Sequence, residues 1–575
     1  MTMCEESSPF RKFILESAGK YLQTVVVVDD RIYDITRGSV SAGLTTPSAV
    51  LRKAALKSAE TVKGENNATS ESTMNMEKPE EVSFHDVQNS FAEKRIICSL
   101  YQPLQTAPFG LQSDVCNLCA TADVVIVDWD LHGDTGNKAT ELVRNLIEQS
   151  MKQIPHQLRL ILIYTLDPNL RSVADVLYEE LGKRIGKDAI HVDAATKGLV
   201  LTTENARVIV LGKKENTSLP EYSDFWVPEK KLAERTILEF SRLASGLLQA
   251  IVLQGIAHLR ENNRRILTRF NEDLDKAFLA HRALTLPEEA FGQIIPLVTD
   301  ELRAVLEDTL GESLLSDSPS IERIVADWCT CYWKKPDNSD GLKIGDGVDA
   351  LAFAKDVFCH GPAMKQDYSR FQNSEIMGLV EKSEGKPPQW KENKNRCLKL
   401  AEYLADGSSG DASHERLGSL MSQRIAYEKT RRTLHLGVIL REAEGGRRYM
   451  LCLQPACDSV RINGEKRGFV FCVLTVPEDG KPFTHVVVDS SRNTIKLVYK
   501  PKTSNCLILN FTTDKDSISA ENSEGKFIFE DVDENKYEWI AELRTEHAQR
   551  AAEEFGRTLS RVGLTESEWL RLKAK

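Results

Sequence analysis

The sequence lacks the features that mark several classes of protein. Its 12 cysteines in 575 residues are too sparse for a disulfide scaffold. Its most apolar stretch, 244–259, falls short of the ~20 apolar residues that a membrane helix needs and contains Gly, Gln and His. The N-terminus carries two acids where a signal peptide would carry basic residues. We therefore expect a cytoplasmic protein with no membrane partner.

Motifs for nucleotides are also missing, since there is no Walker loop and no dinucleotide fingerprint. Asp and Glu number 85 against 74 Lys and Arg, and the net charge of −11 argues against nucleic acid as the main partner. The cysteine pairs Cys116/Cys119 and Cys329/Cys331 lie too far apart in sequence for a paired zinc site, so free thiols are the simpler interpretation. At roughly 150 residues per domain, the length predicts three or four domains or fewer large ones.

The N-terminal region alternates strand and helix patterns. Apolar runs that predict strands occupy 24–30, 95–98, 123–130, 158–165 and 207–214, with a further short element at 199–203. Helical patterns at 137–152 and 169–185 lie between them. Strands that alternate with helices predict an α/β fold with a doubly wound parallel sheet. We assign this domain to 1–225, with a polar insertion at about 36–90.

The rest of the chain changes character twice. Apolar residues recur every three or four positions from Phe240 to Phe278, which predicts a long amphipathic helix, or two with a break near Gly255. This helix begins a helical region at 226–433 and is a natural lever or homodimer contact. Short strand patterns separated by turn residues then predict a β-rich α+β domain at 434–575, closed by a helix at 535–562.

Polar side chains follow four of the predicted strands where each strand ends. They are Asp29 and Asp30, then Asp128, Thr165 and Lys213. The carboxyl ends of parallel strands meet at one edge of a sheet, where ligands bind. Three carboxylates there repel one another unless a cation joins them, and hard oxygen ligands suit Mg²⁺. An aspartate beside Mg²⁺ can accept a phosphoryl group. The alternative interpretation is that the acids are ordinary turn and helix-cap residues.

Four motifs in this order resemble those of the receiver domains of two-component response regulators. They are Val-Val-Asp-Asp at 27–30, Asp-Val-Val-Ile-Val-Asp-Trp-Asp-Leu-His-Gly-Asp-Thr-Gly at 123–136, Ile-Tyr-Thr at 163–165 and Val-Leu-Gly-Lys at 210–213. The resemblance covers about the first 220 residues. Gly133 and Gly136 stand where receivers carry a turn after the acceptor strand.

The resemblance implies a role for each residue of the set. Asp128 would be the phosphoacceptor, while Thr165 and Lys213 would contact the phosphoryl group. The Mg²⁺ ligands would be Asp29, Asp30, Asp128 and, through its backbone carbonyl, Asp130. Catalysis would be limited to self-acceptance and self-hydrolysis of the phosphoryl group, so the protein would not otherwise be an enzyme.

Departures from the family pattern suggest a divergent form. Lys214 replaces the proline that usually follows the lysine, so Lys213 and Lys214 compete for one role, and the chain between the first two strands is unusually long. In these respects the sequence is similar to receivers of Detocs-like anti-phage phosphorelay systems. That similarity implies a partner histidine kinase, a second receiver protein that carries an effector, and a role in antiviral defence.

Other functions remain open from the sequence. The spacing of Asp128 and Asp130 also permits an aspartyl-phosphate phosphatase, with Asp128 as nucleophile and Asp130 as general acid. A non-phosphorylated interaction scaffold with vestigial acids is a second alternative.

Overall fold

The computed structural model describes residues 8–32, 83–152, 157–204, 206–213, 220–284, 287–311, 324–325, 327, 410–426, 431–443, 448–460, 462, 464, 466–478, 481–513, 517–523, 525–559 and 573. The chain divides into two units, Met1–Tyr332 and Trp333–Lys575. Most of the predicted polar insertion, and the cysteines at 329, 331 and 359, lie outside the described residues.

The first unit contains a seven-stranded sheet. Its strands are β1 (Thr24–Val28), β2 (Ile97–Tyr101), β3 (Val124–Val127), β4 (Arg159–Thr165), β5 (His191–Val192), β6 (Val200–Thr202) and β7 (Ala206–Gly212). They are ordered β2-β1-β3-β4-β7-β6-β5. The first five in this order are parallel, while β6 is antiparallel to both of its neighbours. The predicted α/β class with a parallel sheet is confirmed.

Burial explains why the central strands are mostly apolar. Every residue of β3, β4 and β7 is buried. Because successive side chains point to opposite faces of a sheet, both faces must be covered. The helices of this part are α1 (Pro9–Tyr21), α2 (Phe84–Glu93), α3 (Asp114–Thr121), α4 (Asn137–Lys152) and α5 (Leu170–Ile185). Ser8 caps the start of α1 by accepting a hydrogen bond from the Arg11 N–H.

Several shorter helices follow the sheet, where one long helix or two with a break near Gly255 were expected. They are α6 (Leu232–Ser241), α7 (Leu247–Glu261), α8 (Asn263–Arg269), α9 (Asp273–Leu284) and α10 (Pro287–Leu306). The first break lies at 242–246, because Gly246 adopts an extended conformation as the N-cap of α7. Gly255, where a break was expected, is buried inside α7. Helix α1 packs against α6 and α7.

The second unit is built on an antiparallel sheet of nine strands, which confirms the β-rich prediction. They are β8 (Val438–Glu442), β9 (Tyr449–Cys452), β10 (Arg467–Thr475), β11 (His485–Val488), β12 (Thr494–Tyr499), β13 (Cys506–Phe511), β14 (Glu521–Ser523), β15 (Lys526–Glu530) and β16 (Lys536–Glu542). Among the described residues of this unit, the helices are α11 (Gly410–Ser422) and α12 (Thr545–Leu559). The predicted terminal helix was wrong over its first part, because β16 pairs there with β8 and β15.

Candidate functional site

Three carboxylates lie at the carboxyl ends of the neighbouring strands β1 and β3. Asp29 and Asp30 directly follow β1, and Asp128 directly follows β3. The Asp128 N–H donates to the Val28 carbonyl at 2.9 Å, which continues the ladder between the two strands. One oxygen from each carboxylate lies within 4.8 Å of the others. The sheet therefore brings together the acids that the sequence singled out.

Lys213 supplies positive charge to two of these acids. It follows β7, and its Nζ lies 2.7 Å from Asp29 Oδ2 and 2.8 Å from Asp128 Oδ1. All three side chains are at most 8% exposed. Burial raises the pKa of Asp128, as does the charge of Asp29, while Lys213 opposes the rise. Burial alone would lower the pKa of Lys213, but Asp128 and Asp29 raise it overall, so the lysine stays protonated.

Asp30 offers an oxygen that the described residues leave free of hydrogen bonds. Its Oδ2 accepts the His132 N–H at 2.9 Å. Its Oδ1 is buried and accepts no hydrogen bond from any described residue, although Arg31 Nε lies 4.0 Å away. A buried carboxylate oxygen beside two further carboxylates fits a hard divalent cation. The acidic side chains present therefore fit Mg²⁺, with Asp29, Asp30 and Asp128 as its ligands.

Thr165 lies next to Lys213, whereas the Asp130 side chain lies outside the cluster of three carboxylates. Thr165 ends β4, is 1% exposed, and accepts the Asp167 N–H on its hydroxyl at 3.0 Å. Its carbonyl accepts the Lys213 N–H at 2.7 Å, which joins it directly to the lysine. The Asp130 carboxylate instead accepts the Thr135 N–H at 3.0 Å and is not one of the three clustered carboxylates. Lys214 lies outside the described residues.

The loop after Asp128 is a tight turn with left-handed residues. Gly133 has φ +73° and Gly136 has φ +91°. A Cβ on Gly136 would lie 2.1 Å from Cζ2 of Trp129, so only glycine fits. His132 (φ +62°) and Thr135 (φ +57°) adopt similar angles without being glycine. No spacing rule marks a left-handed histidine in a sequence, so His132 was not predicted as a site residue.

The pair Cys116 and Cys119 consists of free, buried thiols. Cys116 and Cys119 lie in α3, are completely buried, and are free thiols. Burial raises the pKa of Cys119 to about 12, which keeps the thiol protonated. This agrees with the prediction of free thiols.

Comparison with known proteins gives one finding for the N-terminal region. The family model of the response receiver domain matches residues 21–218. This range contains β1 to β7 and the residues Asp29, Asp30, Asp128, Thr165 and Lys213. Neither the curated proteins nor the solved structures gave a match. No helix among the described residues is both long and apolar enough to cross a membrane.

Proposed function

We propose, from the premise that residues 21–218 are a response receiver domain, that this protein is a signalling protein phosphorylated on Asp128 in a Mg²⁺-dependent way. The observation that carries the proposal is the group of Asp29, Asp30 and Asp128 with Lys213 Nζ 2.7–2.8 Å from two of them. A receiver implies a phosphodonor, and we propose a histidine kinase as the partner.

Each side chain has a distinct task in the proposed reaction. A carboxylate oxygen of Asp128 attacks phosphorus, a new O–P bond forms, and the bond from phosphorus to the donor breaks. Mg²⁺, held by the three acids, would neutralise charge on the transferring group. The ammonium group of Lys213 is available to bind a phosphoryl oxygen once it leaves a carboxylate, and the Thr165 hydroxyl is the neutral donor at the next strand end. No further enzymatic activity is part of this proposal.

The test uses the full chain, Mg²⁺ and phosphoramidate as a small phosphodonor, with intact-mass spectrometry as the readout. Transfer breaks the P–N bond, and ammonia leaves after taking up a proton from water. We expect one phosphoryl group on the wild type, none on Asp128→Asn, and none when EDTA removes Mg²⁺. Asp188→Asn is the control, because Asp188 is an exposed aspartate of the same domain. Labelling of Asp128→Asn at the wild-type rate would refute the assignment.

A turnover assay with small phosphoesters distinguishes the phosphatase alternative. A phosphatase would turn over small phosphoesters, with Asp130 as general acid, whereas a receiver would only form and lose its own acyl phosphate. The hydrogen bond from the Thr135 N–H to Asp130 Oδ1 supports the receiver, because it engages this carboxylate within its own loop and not as a general acid. Failure to bind Mg²⁺ or to accept phosphoryl groups would instead favour the scaffold alternative.

The biological setting is a separate proposal. We propose a defence phosphorelay with a receiver-effector protein, and this part rests on the sequence resemblance alone. A gene for a histidine kinase beside this one, together with a receiver-fused effector, would support it. A cytoplasmic location also remains a prediction from the sequence.

We further propose that the signal leaves the site through Tyr164. Lys213 Nζ lies 5.5 Å from the centre of the Tyr164 ring, and the Tyr164 hydroxyl donates to the Val227 carbonyl at 2.8 Å. The Val227 N–H donates in turn to the Gly212 carbonyl at 3.0 Å. Val227 belongs to the segment that leads into α6. A lysine that moves on phosphorylation would therefore disturb contacts of this segment.

Removal of one hydroxyl tests this route. In Tyr164→Phe, we expect the ring and the phosphorylation to remain, while the change in hydrogen exchange of 220–261 on phosphorylation becomes smaller. Tyr178→Phe is the matched control, because the Tyr178 ring also contacts a lysine, Lys187 Nζ at 5.3 Å, but lies on α5. An undiminished exchange response in Tyr164→Phe would refute the route.

We propose α7 as the homodimer contact. Three apolar side chains four residues apart are exposed on this helix: Leu248 by 62%, Val252 by 59% and Ile256 by 37%. A stripe at this spacing on one helix face can pair with a second copy of itself. We expect the wild type to have the mass of a dimer in analytical ultracentrifugation and Val252→Glu to have a lower mass. Val176→Glu, at a similarly exposed valine on α5, should leave the mass unchanged.

A further inference from the structure

His132 stands in a backbone conformation that histidine rarely adopts. It lies four residues after Asp128 with φ +62° and ψ +31°, the left-handed region. Glycine or asparagine would adopt these angles with less strain. Strained residues persist where the surrounding contacts fix them, and they cluster at functional sites. The contacts that fix His132 therefore indicate its role.

Those contacts join two strand ends of the receiver sheet. The His132 N–H donates to Asp30 Oδ2 at 2.9 Å. At the other end of the residue, ring Nε2 lies 3.0 Å from the Pro103 carbonyl, in the loop after β2. Since a carbonyl only accepts, Nε2 must carry the proton. The side chain is 18% exposed, so this bridge is largely shielded from water.

The bridge determines which oxygen of Asp30 is available. Oδ2 is engaged by the His132 N–H, whereas Oδ1 is buried and accepts no hydrogen bond from the described residues. A ligand carboxylate that is fixed by a neighbouring donor presents its remaining oxygen in one orientation. Ring Nδ1 also lies 3.5 Å from Oδ2, on the side of the carboxylate that the N–H contacts.

We infer that His132 is a positioning residue for the metal ligand Asp30. The His132 ring, hydrogen-bonded to the Pro103 carbonyl, holds the strained loop in place. The His132 N–H can then fix Oδ2 of Asp30 and leave Oδ1 of Asp30 for the cation. This inference rests on the proposed function, because it takes Asp30 as a ligand of Mg²⁺. It adds to that function a residue that never touches the metal itself.

Calorimetric titration of the full chain with Mg²⁺ tests the inference. We expect His132→Gly to bind Mg²⁺ about tenfold more weakly, although glycine suits the backbone better, because the anchor to Pro103 is lost. His132→Gln should recover most of the affinity, since its amide can donate to the same carbonyl. Arg95→Gly is the control, because Arg95 is another left-handed residue (φ +60°) that lies outside the site.

The outcomes separate the two hypotheses. Wild-type affinity in His132→Gly would overturn the positioning role while leaving the metal site intact. An equal loss in Arg95→Gly would also overturn it, because the effect would then be a general loss of stability. If the wild type itself binds no Mg²⁺, the proposed function fails and this inference fails with it. Thermal unfolding of each variant checks that the comparison is made between folded proteins.

Discussion

A buried ion cluster joins the receiver sheet to the first helix after it, and its removal is the sharpest test of how the unit is built. Glu239 on α6 is completely buried. Its Oε2 accepts from Nε and Nη2 of Arg207, on β7, at 3.0 and 2.8 Å. Its Oε1 lies 3.0 Å from Arg235 Nη2 and 2.9 Å from Arg242 Nη1. One carboxylate therefore contacts three guanidinium groups and is the anion that they share.

Glu239→Gln keeps the shape of this side chain and removes its charge. The three arginines would then lack their shared anion, and burial already lowers the pKa of Arg235. Loss of one partner from a buried ion pair costs about 3–5 kcal/mol. Because glutamine retains one acceptor oxygen, we expect about 3 kcal/mol, a large part of the ~5–15 kcal/mol that stabilises a typical domain.

Hydrogen exchange of the full chain measures this loss in the peptides that cover β7 and α6. We expect both to lose protection together, since the cluster links them. The control is Glu234→Gln on the same helix, whose side chain is 62% exposed and 3.2 Å from Lys94 Nζ. An exposed pair of this kind contributes under about 1 kcal/mol. If Glu239→Gln exchanges like Glu234→Gln, or if α6 alone loses protection, the cluster does not unite sheet and helix.

Three further predictions follow from buried groups. Gly136→Ala should unfold the first unit at lower denaturant concentration, because its Cβ would overlap the Trp129 ring at 2.1 Å and φ is +91°. In the second unit, burial lowers the pKa of His485 from 6.5 to about 4, so the neutral form stabilises the fold. The contribution of neutral His485 to the free energy of unfolding should be complete above pH 6.5. It should fall by roughly 3 kcal/mol towards pH 4, because only the unfolded chain takes up the proton in this range. Chemical denaturation at each pH would measure this change. Cys119, which is completely buried, should resist alkylation in the native protein while the exposed Cys457 reacts, and mass mapping would detect the reverse.

The strands around the site could be predicted because their signal is local. The four residues before Asp29 are all valine, which is the pattern of a strand covered on both faces. Parallel strands then bring Asp29 and Asp128 to one edge, although they lie far apart in sequence. The lysine was less certain, since Lys213 and Lys214 offer the same charge. The distances from Lys213 Nζ to the acids show that Lys213 reaches them.

Other elements needed information that the sequence patterns did not give. The segment at 536–542 contains residues that suit a helix and is followed by one, yet it forms β16 because it pairs with β8 and β15. Glu538 meets Arg441 across the first of these pairings. Helix α1 did carry a signal that was missed. Ser8 and Pro9 form a typical start, and Phe10, Phe13 and Ile14 bury one face. The pairing of Arg207 with Glu239 had no signal, because charged residues are common throughout the chain.

Strand β7 links the buried ion cluster around Glu239 to the candidate site. Arg207, near its start, binds Glu239 on α6, and Lys213, just beyond its end, binds the acids of the site. Every residue between them is buried, and interior packing leaves little room for a strand to deform. A strand held at both ends in this way moves as one body or not at all. We therefore expect displacement of Lys213 by a phosphoryl group to change the contacts of α6, which Glu239 joins to β7, in addition to those of the segment that Tyr164 contacts.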